Sequence, residues 1–137
     1  MKRLACVVSV IAFSAVSVWA GGDDDKKPAT IKEVMKKLHK GADAPLNKLK
    51  TAFKADSPDW KSIQDLSKGF VTLGADLPKN DAPKGDKADF KKLAEAYYEN
   101  AKALDAGAKK KDKPAAEAAF KKVSTSCMAC HKDHKPD

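Results

Sequence analysis

The chain ends in the twelve residues SCMACHKDHKPD, and three side chains in that stretch have types and spacing suited to chemistry. Cys127, Cys130 and His131 stand at i, i+3 and i+4, which on a helix projects all three from one side. C-x-x-C-H is the attachment sequence of c-type haem. Two thiols reach the two vinyl groups at one porphyrin edge, and an imidazole directly after them turns under the ring plane to the iron. Two other uses of these residues compete. A redox disulfide at C-x-x-C belongs on a thioredoxin-like βαβ unit, and no strand pattern is visible. A zinc site could add His134 to His131, but such sites usually draw their ligands from two separated knuckles. Haem attachment is the favoured reading.

The other end of the chain bears on where that chemistry takes place. Lys2 and Arg3 precede the uncharged apolar run LACVVSVIAFSAVSV, and Val18 and Ala20 occupy the small-residue positions before a cleavage point. Residues 1–20 therefore read as an export signal cut after Ala20. The run is too short for a lasting transmembrane helix, so no integral membrane anchor is expected. Cys6 lies at the start of the run, which argues against a lipoprotein site. Removal of the signal leaves Cys127 and Cys130 as the only cysteines, in a periplasmic, oxidising setting.

Of 27 basic residues Lys2 and Arg3 leave with the signal, so 25 face 19 acidic ones and the mature charge is +6. All 25 are lysine, because Arg3 is the only arginine. Nucleic-acid readers lean on arginine and interleaved aromatics, so nucleic acid is not an expected partner. The lysines alternate with Asp and Glu as on solvated helical faces. A docking face for an acidic redox protein is the alternative.

Placing the three residues requires helices, and helices are what the pattern offers. Residues 21–29 form a polar, Asp-rich leader, expected to be disordered. Thr30 and Glu33 form a capping box ahead of the stripe Ile31, Val34, Met35, Leu38, Ala42, Leu46, Leu49 and Phe53. Gly41 and Pro45 predict a kink or short break within it. Ser57 as N-cap and Pro58 at the first helical position predict a second helix carrying Trp60, Ile63, Leu66, Phe70, Leu73 and Leu77. LPKNDAPKGD reads as a loop. Asp86 caps a third helix through Phe90, Leu93, Ala94, Tyr97, Ala101 and Leu104, closing at Gly107. AKKKDK connects it to a fourth helix opened by Pro114, which carries Ala115, Ala119, Phe120, Val123 and the haem motif. The expectation is an all-α, up-down-up-down four-helix bundle over residues 30–137 with covalently bound haem.

A C-x-x-C-H on the last of four helices, together with VMKKLHKGADAP on the first, resembles the class II c-type cytochromes, the cytochrome c′ family and its low-spin, methionine-ligated relatives. The resemblance covers residues 29 to 136. It implies one haem c between the helices, thioethers from Cys127 and Cys130, His131 as proximal iron ligand, and often a homodimer. Lys135 stands where family members carry Arg or Lys four residues past that histidine. His134 stands where an aromatic is common, and the usual first-helix arginine is absent.

The sixth coordination position separates the functions the resemblance implies. Met35 occupies the place of the methionine ligand on the first helix, although a methionine there could equally be core filler. His39 is the second candidate and Leu38, as a blocking residue over a five-coordinate iron, the third. Methionine or histidine ligation implies a single-electron carrier between exported redox proteins. An open face implies a module binding nitric oxide or carbon monoxide. Peroxidase catalysis would need an open iron and a distal acid/base, for which His39 is the sole imidazole on offer. No enzyme activity is expected.

Overall fold

The structure, a computed structural model, describes residues 27–136; the expected export signal and most of the expected leader lie outside them. Five α-helices and one 3-10 turn make up the fold: α1 (Ile31–Leu38), α2 (Pro45–Lys54), α3 (Trp60–Gly74), the turn Leu77–Lys79, α4 (Lys87–Lys110) and α5 (Lys113–His134). No strand occurs among the described residues. The first helix of the sequence pattern is interrupted rather than kinked. Gly41 turns the chain with φ +103°, and Pro45 starts α2 at a position where its missing N–H costs nothing. Asn47 donates to the Gly41 carbonyl at 2.9 Å and ties the break together. α1 and α2 jointly form the first of four bundle strokes, and α3, α4 and α5 form the others.

The capping box at α1 is present: Thr30 Oγ1 accepts from the Glu33 N–H, and Glu33 returns a bond to the Thr30 N–H at 2.8 Å. The bundle holds the chain from Ala29 onward, since Ala29 N–H donates to Asp76 at 3.0 Å and Asn80 donates to the Ala29 carbonyl. Three boundaries differ from the sequence expectation, the first being that α3 ends at Gly74 and leaves Leu77 in the 3-10 turn beyond it. Asp59, not Ser57, caps α3, because its carboxylate accepts from both the Lys61 and Ser62 amides and its charge suits a helix N-terminus. α4 also runs past Gly107, so most of AKKKDK is helical. It stops at Lys111, with φ 55°, where Asp112 N–H reaches back to the Gly107 carbonyl.

Gly107 is an approach point between helices. A Cβ there would lie 2.8 Å from the Ala116 nitrogen of α5. Small side chains are fully buried on both helices, Ala101 and Ala108 on α4 and Ala116 on α5, as are Leu104 and Val123. Larger side chains fill the rest of the core: Val34, Leu38, Leu49, Ile63 and Phe70 are at most 1% exposed. Burying each stabilises the fold by about 1.5–3 kcal/mol. Gly107→Ala should force α4 and α5 apart and lower stability by about 1–3 kcal/mol, read from thermal unfolding; an unchanged midpoint would contradict the close approach.

Candidate functional site

Asp112 caps α5 by accepting from the Ala115 N–H at 3.1 Å, and Pro114 sits in the first turn. From that start the helix buries Ala116, Ala119 and Val123 along one stripe. Cys127, Cys130 and His131 follow in the last two turns. Both cysteines are free and half-buried, and His131 is exposed. Burial pushes both thiols above their usual range; for Cys130 the neighbouring Cys127 and Asp89 push the same way.

All three residues line one cavity of about 620 Å³, within the range of small-molecule sites. Met35 and Ile31 of α1 line it from one helix, and Phe90, Leu93 and Tyr97 line it from α4. Its walls are mostly apolar. Two thiols and an imidazole on one wall of an apolar cavity between helices fit a porphyrin with its two vinyl groups and iron. The zinc alternative loses its fourth group, because both ring nitrogens of His134 are already bonded, to the Lys84 carbonyl and to Asp89.

The three distal candidates part company here. Met35 is half-buried and reaches the cavity wall. Leu38 is 1% exposed in the core and lies against Gly69 of α3. His39 sits behind Tyr97: its Nε2 is 2.9 Å from the Tyr97 hydroxyl, and its ring meets Phe70 and Tyr97 edge-on, each at 5.8 Å. Its Nδ1 is buried without a hydrogen-bond partner. The sequence marked His39 as a possible ligand but not its engagement with Tyr97, a pairing across 58 residues that only packing creates.

Burial, reinforced by the charge of His131, lowers the His39 pKa to about 4 from 6.5. Between those values the unfolded chain binds more protons than the folded one, so His39 withdraws stability as pH falls from the higher to the lower. The loss is on the order of 2 kcal/mol after allowance for screening. His39→Gln should flatten that part of the pH–stability curve. An unchanged curve would mean that His39 is solvated in solution.

With the geometry in view, the likeness to known proteins is specific. Residues 80–135, the loop before α4 together with α4 and α5, match the sequence profile of the cytochrome c′ family. The matched segment includes Cys127, Cys130 and His131. No curated protein matches the chain. Among solved structures, the crystal structure of cytochrome c′ from Thermochromatium tepidum aligns with a TM-score of 0.52 and 21% identity, over 68% of this chain and 84% of that one. At that identity the likeness speaks for the fold, a four-helix bundle in which α1 and α2 share one position. The likeness to the cytochrome c′ family is in keeping with the C-x-x-C-H on the final helix. Among the described residues, no helix is long and apolar enough to cross a membrane.

Proposed function

We propose that this chain is a cytochrome c′ family member and an exported, periplasmic electron carrier, in which Cys127 and Cys130 would hold one haem c and His131 and Met35 would hold its iron. A haem held this way supplies reversible one-electron chemistry. The observation that carries the choice is the position of Met35, which lines the same cavity as Cys127, Cys130 and His131 while His39 is engaged in a bond with Tyr97. A thioether on an unbranched side chain can extend into a cavity where Leu38, locked in the core, cannot. The residues of the chain have three tasks in this reading. Cys127 and Cys130 retain the cofactor, His131 and Met35 set its potential, and the apolar wall of Phe90, Leu93 and Tyr97 excludes water.

The lysine-rich surface would steer the carrier toward acidic faces of its redox partners. A homodimer is compatible with this reading. The absorption spectrum of the haem-loaded protein tests it. A low-spin, six-coordinate ferric spectrum and no carbon monoxide adduct of the ferrous form are expected. A high-spin spectrum with ready carbon monoxide binding would instead make the chain a gas-binding cytochrome c′.

A further inference from the structure

His134 has no part in the ligand set above, yet it is one of the best-anchored side chains near the cavity. It is 2% exposed, forms the last residue of α5, and lines the cavity with His131. Its Nδ1 is 2.9 Å from the Lys84 carbonyl and its Nε2 is 3.1 Å from Asp89 Oδ2. A carbonyl and a carboxylate only accept hydrogen bonds, so both ring nitrogens must donate. Only the imidazolium has two N–H groups. The ring also stands edge-on to Phe90 at 5.5 Å, and Phe90 is itself part of the cavity wall.

The loop on the other side of the contact is shaped to receive it. Gly85 has φ +80°, and a Cβ there would lie 2.6 Å from the Asp133 carbonyl oxygen and 2.8 Å from His134 Nδ1. Only glycine lets the loop lie flush against the end of α5. One imidazole therefore joins three pieces of chain: the turn that carries Cys130 and His131, the loop at Lys84–Gly85, and the first turn of α4 at Asp89.

We propose that His134 is a positioning residue that latches the C-terminal turn of α5 to this loop and to the head of α4, and that the latch loosens when the imidazole loses its proton. The neutral ring keeps its Nδ1 bond to the Lys84 carbonyl. Its Nε2 lone pair then faces the Asp89 carboxylate, and that link is lost. The groups acting on the ring from each side favour the proton: the Lys84 carbonyl most, then Asp89 from α4, and Asp133 from its own helix. They hold the folded pKa above 6.5, so the latch is at full strength below that value and weakens as pH rises through the raised one. Its state governs the cavity wall formed by Phe90 and the turn holding His131.

The inference rests on the reading of Cys127, Cys130 and His131 as the haem-holding residues, and the test separates the two. Wild type, His134→Phe and Asp89→Asn are made as haem-loaded full chains, and intact mass is measured first. Absence of haem from all three overturns the haem reading itself. With haem present, hydrogen exchange of residues 80–90 and 128–136, corrected for intrinsic rate, is followed from about pH 6 to about pH 9. In wild type both segments should lose protection together, by about tenfold. Asp89→Asn keeps an acceptor without the charge and should move that loss to lower pH. His134→Phe keeps a ring against Phe90 and should show no pH-dependent step. A His134→Phe profile identical to wild type, or two segments that open at different pH, would overturn the latch.

Discussion

A Cys127→Ala, Cys130→Ala double variant is expected to lose covalent haem completely, whereas wild type matured in a c-type system should exceed its polypeptide mass by one haem. The half-buried, unbridged thiols stand on the wall of a cavity of about 620 Å³. Each single variant should retain haem through one thioether and release it more readily on denaturation. The double variant should also unfold at lower temperature. The bundle is small and six of its buried core residues are alanines, so an unfilled apolar cavity removes a large share of its packing. Retention of covalent haem by the double variant would overturn the assignment of both cysteines.

Met35→Ala is expected to have the second-largest effect. On the proposed reading, truncation would remove the sixth ligand with no replacement, since Leu38 is packed in the core and His39 is held by Tyr97. The ferric spectrum should become high-spin, and the ferrous form should go from no carbon monoxide binding to one equivalent. The reduction potential should fall by on the order of 0.1 V, a fraction of the ~0.8 V that axial ligands command. His39→Ala should leave the visible spectrum nearly unchanged, because the imidazole lies behind Tyr97. If His39→Ala alone turns the iron high-spin, histidine is the ligand. If neither variant changes a spectrum that is already high-spin, the gas-binding function takes precedence.

The elements of the fold were legible because their signals are local. Steps of three and four in the apolar residues, the Thr30–Glu33 capping box and Asp86 ahead of α4 each act within a few residues, and each appears as expected. The misplaced boundaries were contests between neighbours. Asp59 outcompetes Ser57 because a carboxylate takes two amides. Gly107 looks like a stop until α5 is laid against it, when it proves to be the point that lets Ala116 approach.

The same division holds at the site. Sequence alone determined the chemistry on offer, since C-x-x-C-H fixes two thiols and an imidazole on one side of a helix whatever surrounds them. It also brought forward Met35, Leu38 and His39 as rivals, for all three lie within one turn or so of a single short helix. Tertiary structure decided among their positions. Helical period cannot say which neighbour a side chain meets, and the neighbours come from far along the chain: Tyr97 for His39, the core against α3 for Leu38, and the cavity shared with Cys127 and His131 for Met35. His134 followed the same rule. Its sequence position marked only an imidazole in place of an aromatic, while its two acceptors, the Lys84 carbonyl and Asp89, lie 50 and 45 residues away. A hydrogen bond needs both partners within about 3 Å, and for groups so distant in sequence only the packing of α4 against α5 brings them together.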